Sequence, residues 1–398
     1  GREGTDPESL WKWLSDYEEK SGGRVLAIPH NANLSNGWMF REARYDGSPM
    51  TAGWATARAR WEPVYEVYQY KGLTEAHPMM SPTDEFANFG IWDWSDLNGN
   101  PKPKGAVKAE YIREALKEGM RLQDQLGTNP FKYGMAAGTD THTGLPTGGE
   151  EDNFGGKFVS MEHGVKDRWD EVFAKRKDGF VQKDWTVLAA GMMGVWATSN
   201  TREAIWDGMM RRETYASTGP RITVRFFGAD AAAGKLVATG YEKGVPMGGD
   251  LKPAAAGQAP TFLYAAMKDP MGGNLDRVQI IKGWVSADGK THEKVYDVKW
   301  AGDRKPGADG KLPPVGNTVD TKTATYANTI GAPELSGSFT DPEFNAKEKA
   351  FYYARVIEIP TPTWMGYDHA QFQADPSAEV PLTQQERAVT SPIWYNPH

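Results

Sequence analysis

Three apolar runs of strand length, each ending in residues able to do chemistry, set the strongest limit on what this 398-residue chain can fold into. Arg24 to Pro29 (RVLAIP) delivers His30, Val64 to Tyr70 (VYEVYQY) alternates around Glu66, and Phe131 to Ala137 runs into Gly138–His142 (GTDTH). Between them lie Thr51–Trp61, which reads as a helix stopped before Pro63, and Val107–Leu126, with Tyr111, Ile112, Ala115 and Leu116 on one face and Gly127 as its stop. Strand, loop and helix alternating in this way predict an α/β layer with a mostly parallel sheet. In such folds the carboxyl ends of the strands gather on one face and carry the ligands.

The chain opens on a marked helix: Asp6 suits the N-cap, Pro7 the first turn, Leu10, Trp13, Leu14 and Tyr17 recur at helical spacing, and Gly22 supplies the stop. A long aromatic loop from Lys71 to about Lys104 holds Trp92 and Trp94, which read as lid candidates. Later come a helix near Val165–Lys177, a strand over Val187–Trp196, and a helix that Asn200 and Glu203 open and Arg212 closes. After about residue 220 the character changes. Ala/Gly/Pro-rich stretches separate β-like runs at Ile222–Phe227, Phe262–Met267, Val278–Val285, Lys294–Trp300 and Phe351–Ile359, with Gly302–Thr318 as a surface loop and no long helical period. The expectation is therefore an α/β portion over residues 1–220 and a β-rich, sandwich-like domain over residues 221–398.

Composition removes several function classes. Hydrophobic residues at 39% and charged residues at 24% are those of a folded globular chain. The longest apolar run, Val187–Ala197, has 11 residues and two glycines, too short for a membrane helix. A net charge of -7 with no basic block argues against nucleic acid as a partner. The absence of cysteine excludes thiol catalysis, disulfides and Cys-ligated metal. There is no phosphate loop, HExxH, GxSxG or GxGxxG after a strand, and Gly244–Asp250 (GVPMGGD) reads as a loop.

His, Asp, Glu, Ser, Lys and Arg remain for chemistry. An extended Asp-x-His step puts Asp140 and His142 on one face, so the pair is either a chelate for a divalent metal or a hydrogen-bonded loop pair. Glu66, inside an apolar strand, needs a cation or a metal unless it lies on a wet edge. His77 sits in EAHP at a loop tip, where a structural role is the alternative. His163, which opens a helix, and His292, His369 and His398 read as structural, and the Asn33-Leu34-Ser35 triplet is formally a glycosylation sequon.

Taken in order, AIPHN, VYEVYQYKG and AAGTDTHTG resemble the PHP (polymerase and histidinol phosphatase) superfamily of metal-dependent phosphoesterases. The closer resemblance is to the branch known as domain of unknown function 3604, carried by IPHNANLSNG, EAHP, GTDTHTGLPTGGEEDNFGGK, GVWATSNTREAIWDGMMRRETYASTGPR, GVPMGGDL, FYYARVIEIPTP and ERAVTSPIWY. It implies that residues 1–220 are the C-terminal portion of an irregular PHP-like α/β barrel, with His30, Asp140 and His142 as ligands to zinc, manganese or iron. Glu66, Lys71 and His77 are expected as catalytic residues beside them. The superfamily's early His-x-His is absent, and the chain opens at Gly1 without Met, so the resemblance implies a barrel lacking its front, with the missing part or self-association covering its edges. It further implies an extracytoplasmic location. The function expected is metal-dependent hydrolysis of a small-molecule phosphoester or related ester; the contrasting reading is a non-enzymatic binding or scaffold module.

Overall fold

The computed structural model describes residues 6–144, 150–158, 161, 165–189, 191–229, 236–253 and 258–397. Helix α1 (Pro7–Ser21) is capped as its sequence dictates: the Asp6 carboxylate accepts from the Ser9 N–H at 2.9 Å, and Gly22 closes the helix at φ 67°. Its Trp11 and Leu14 pack on Trp54 and Trp61 of α2 (Ala52–Trp61), which starts on the Thr51 hydroxyl.

The chain then enters β1 (Val64–Gln69) and turns back through β2 (Gly72–Leu73). Helix α3 (Ile112–Leu126) carries it to β3 (Gly134–Ala137), which pairs parallel to β1 with Val64 opposite Gly134. A register shift between Glu66 and Tyr68 leaves Val67 bulged, which re-aims the end of β1. The expected strand at Arg24–Pro29 is extended but does not form a ladder. Ala27 N–H reaches Trp61 O and Glu66 N–H reaches Pro29 O, at 2.8 and 3.0 Å, but Pro29 has no N–H to return. The expected helix over 107–126 divides into a 3-10 turn at Ala106–Ala109 and α3, whose first N–H groups are satisfied by the Thr74 and Glu75 carbonyls.

Residues 165–177 form no helix: after a 3-10 turn at Arg168–Asp170 the chain makes a hairpin of β4 (Val172–Lys175) and β5 (Val181–Lys183), turned at Gly179 with φ 95°. The strand expected over 187–196 is only β6 (Met192–Val195), and α4 (Arg202–Met210) is capped by Thr201 rather than Asn200. His163 and His398 lie outside the described residues.

Strand β7 (Thr214–Ser217) leads into β8 (Thr223–Ala229), and two short helices follow where none is expected: α5 (Leu236–Lys243) and, later, α6 (Trp364–Phe372). GVPMGGD carries β9 (Gly244–Pro246) and opens β10 (Asp250–Leu251) around a turn at Gly248. The remaining strands are β11 (Thr261–Met267), β12 (Leu275–Val285), β13 (Thr291–Trp300), β14 (Glu334–Thr340), β15 (Lys349–Glu358), β16 (Thr361–Pro362), β17 (Thr383–Gln384), β18 (Arg387–Thr390) and β19 (Ile393–Tyr395).

The β-rich part is present as expected. An antiparallel sheet, β14-β11-β8-β9, faces an eight-stranded sheet ordered β10-β19-β15-β18-β7-β6, to which β12 and β13 attach beside β15. The large sheet is buried on both faces, and its side chains alternate accordingly. Ile280, Tyr352, Ala354 and Val356 meet Phe226, Phe262 and Tyr264 of the four-stranded sheet, whereas Ile281, Phe351 and Tyr353 meet Ile112, Leu116 and Met120 of α3 and Tyr65 and Val67 of β1. Because β6 and β7 pair into this sheet, hydrogen bonding is continuous across residue 220. The described residues form several sheets and no closed barrel.

One polar seam crosses the second core. Arg355 on β15 and Arg113 on α3, exposed by 0% and 1%, hold Glu75 and Asp84 between them. Arg355 reaches Glu75 Oε1 at 3.0 Å and Asp84 Oδ1 at 2.6 Å, and Arg113 reaches the same carboxylates at 2.7 and 2.9 Å. The pairing keeps both carboxyls below their ordinary range against the opposing effect of burial.

Candidate functional site

The bulged end of β1, the loop after β3 and the segment at Lys157 meet at one point, and Asp140 is its centre. β3 ends at Ala137; Gly138 N–H bonds Tyr68 O, and the chain turns through Asp140 at φ 54°, a left-handed conformation that Asp tolerates better than most residues. The loop is pinned a second time where the His142 N–H bonds Lys157 O at 3.0 Å. A Cβ on Gly138 would stand 3.0 Å from Glu66 Oε1, so glycine lets the loop pass beside that carboxyl.

Asp140 gathers three partners. Lys71 Nζ pairs with Oδ2, Lys157 Nζ pairs with the same oxygen at 2.7 Å and also donates to the Asp140 main-chain carbonyl, and His142 Nε2 lies 3.2 Å from Oδ1. Lys71 is fixed by its own backbone. Its N–H bonds Gln69 Oε1 at 2.6 Å, its carbonyl accepts from Asn33 Nδ2 at 2.6 Å, and Gln69 in turn bonds Asn31 Oδ1 at 2.7 Å. The Asn33 of the sequon is therefore a buried strut.

Burial sets the proton affinities of this cluster. It pushes the Glu66 carboxyl up to about 7, with the Lys71 and Lys157 ammonium groups opposing. It pushes Lys71 down to about 7, helped by Lys157 and opposed by Glu66, and Lys157 down to about 8. The Asp140 contact also favours the ammonium forms. His142 is lowered by desolvation and by the same two lysines; His30 is lowered by desolvation first, against the Ile28 carbonyl, and then by those lysines. A lysine whose neighbour is also cationic is the arrangement that yields a neutral, reactive amine near pH 7. Glu66 Oε2 is buried without a hydrogen-bond partner.

The structure thus brings Glu66, Lys71, Asp140 and His142 together and adds Lys157, which the sequence reading missed; a lysine in FGGK between Phe154 and Phe158 was the available signal. His30 feels the two lysines but makes no contact with Asp140 or His142; it lines a mostly apolar cavity of about 430 Å³ with Ile28, Trp38, Tyr45 and Trp54. His77 is held elsewhere. Buried, it bonds Asp93 through Nε2 at 3.2 Å and accepts the Met79 N–H on Nδ1, which fixes its tautomer. Trp92 is no lid: it is 1% exposed, packs edge-on to Trp94 and Phe173, and donates to Thr186 O. His292 stacks on Trp284 and bonds Ser286, and His369 bonds the Ala374 carbonyl, both structural contacts.

Among the described residues, no three His, Asp or Glu side chains stand together as a metal-ligand set. As the side chains lie, His30, Asp140 and His142 do not fit a resident metal, because ammonium groups occupy the carboxylate that would anchor it.

The model of a family described as protein of unknown function (DUF3604) matches residues 1–397. The chain belongs to DUF3604. No curated protein and no solved structure matches it. In this DUF3604 chain the match takes in both the Asp140 cluster and the whole β-rich part. No helix among the described residues is long and apolar enough to cross a membrane.

Proposed function

We propose that this DUF3604 chain is a hydrolase of anionic esters, phosphoesters foremost, working at the Asp140 cluster. On this reading residues 1–220 are the C-terminal portion of a PHP-like α/β barrel, supported by the parallel β1–β3 pair and the 24–29 segment bonded beside β1. The observation that carries the function is the meeting of two buried lysines with Glu66 at the carboxyl ends of parallel strands. Lys157 binds an ester oxyanion and stabilises the charge that grows on it. The neutral Lys71 amine takes a proton from the attacking water, while protonated Glu66 gives one to the leaving oxygen as its bond to phosphorus breaks. Asp140 orients Lys71 and the Lys157 ammonium, and the apolar cavity at His30 suits the hydrocarbon part of the leaving group. Zinc, manganese or iron would first have to displace the lysines from Asp140.

The test is hydrolysis of para-nitrophenyl phosphate, sulfate and acetate and of bis(para-nitrophenyl) phosphate, each with and without manganese or zinc. Lys157→Met should lower kcat/KM on the anionic esters by about 10²-fold or more, the usual effect of losing one oxyanion donor, and leave the acetate within a few-fold. Inertness toward every ester with every metal refutes the hydrolase and leaves the binding-module reading.

A further inference from the structure

A second polar cavity, of about 270 Å³, opens where the loop at Glu150–Asp152 meets the turn at Gly219–Arg221, the turn at Asp269–Gly273 and the end of β15. Its wall carries Glu151, Glu358, Glu386 and Asp269, and none of these four forms an ion pair among the described residues. Lys268 favours the charged form of Glu358 and Arg387 that of Glu386, but neither cation pairs directly with them. Lys268 directs its ammonium to the Asp269, Pro270 and Gly272 carbonyls, at 2.7, 3.2 and 2.9 Å. Arg221 sits at the exposed rim with Glu150.

Three of the four acids have hydrogen-bond partners. Glu151 accepts from the Trp364 N–H and from Gln384 Nε2, both at 2.5 Å, Glu386 accepts from Thr218 and Gln384, and Asp269 accepts from the Arg221 and Met271 N–H groups. Glu358 does not. It is 1% exposed, lines the cavity, and among the described residues neither carboxylate oxygen has a well-formed hydrogen bond, the Gly273 amide being the one backbone group that acts on it. A buried carboxyl with no partner costs free energy that a ligand can recover, and an acid on a cavity wall recovers it from a cation.

We infer that this cavity binds a small organic cation bearing an ammonium or guanidinium group, with Glu358 as its principal acceptor. A bare divalent metal is disfavoured because, among the described residues, the acids do not converge into a ligand set. Tyr326, Tyr367 and Met271 add to the wall the apolar and aromatic surface that an alkyl cation needs and a hydrated metal does not. Burial, together with neighbouring acids, raises Glu151 and Glu358, and burial raises Glu386, so a cation bound among them favours their ionised forms and its binding is linked to proton release.

The test is calorimetric titration of the full chain with 1,4-diaminobutane, guanidinium, calcium and manganese, each run in two buffers of different ionisation enthalpy. The organic cations should bind with proton release, and Glu358→Gln should weaken them by about tenfold or more, the effect of losing a charge-assisted bond. The inference is overturned if neither organic cation binds at about 10 mM, if calcium or manganese binds more tightly than both, or if Glu358→Gln binds as the wild type does. Proton release is read on the wild type alone, so the test holds even if that variant does not fold.

Discussion

Arg355→Met should be the most damaging single change in the large sheet. The arginine is 0% exposed and makes contacts at 3.0 and 3.2 Å to Glu75, 2.6 Å to Asp84, and 2.9 and 2.7 Å to Gln279. Methionine keeps much of the stem's packing but leaves two buried carboxylates with Arg113 as their remaining directly paired guanidinium, Arg387 acting only from farther off. Removing one partner of a buried ion pair costs about 3–5 kcal/mol, and Gln279 loses its donor as well, so the upper part of that range is expected. The readout is urea unfolding of both proteins from pH 8 to pH 4. In the wild type Glu75 and Asp84 have depressed pKa values, so their stabilisation is present above the unfolded value near 4 and is lost only as pH falls through the folded ones. In the variant the same carboxyls should titrate higher, so acid should relieve their repulsion and narrow the gap. A loss below about 1 kcal/mol, or a gap that widens in acid, refutes the reasoning.

Three further predictions concern the Asp140 cluster. Trace acetylation followed by peptide mass analysis should show Lys71 gaining reactivity near pH 7 and Lys157 near pH 8; midpoints near the ordinary lysine value of about 10.4 would remove the basis for a neutral amine. Glu66→Gln should stabilise the protein at pH 8 by up to about 3 kcal/mol and hardly at pH 4.5, because a carboxyl raised to about 7 destabilises the fold only above its unfolded pKa; equal unfolding midpoints at both pH values would contradict this. Gly72→Ala should cost about 2 kcal/mol or more, since Gly72 has φ 107° and a Cβ there would strike the Gly90 carbonyl; unchanged stability by urea titration would show that this turn yields.

The elements that could be read from sequence are those whose signals are local. Asp6, Pro7 and Gly22 bracket α1 because caps act within a few residues, and the apolar stripe of α3 survives because one face meets the sheet. The residues 165–177 failed for the opposite reason: their apolar spacing suits a helix, but the turn at Asp178-Gly179 and the aromatic cluster of Phe173 with Trp92 favour a hairpin. The short helices α5 and α6 carry too few turns to show a period, and Pro360 and Pro362 hide the Thr363 cap. At the site, Glu66, Lys71, Asp140 and His142 were visible because each lies on or just beyond an apolar run. Lys157 was not, because it belongs to no periodic element and is buried only by contacts distant in sequence. The seam joining Arg113 and Arg355 was equally hidden, for 242 positions separate its two arginines.

The pH dependence of kcat/KM for bis(para-nitrophenyl) phosphate tests the central claim most directly, because this diester keeps one charge across the range and any curvature belongs to the protein. With Lys71 as base and Glu66 as acid, both near 7, the profile should be a bell centred near pH 7, its two apparent values belonging to the pair. Lys71→Met should abolish the acid limb along with most of the activity, and Glu66→Gln should move the alkaline limb up from near 7 to near 8, where Lys157 loses its proton. A profile that is flat from pH 6 to 9, or a bell unchanged in Glu66→Gln, would contradict the assignment of the chemistry to this cluster.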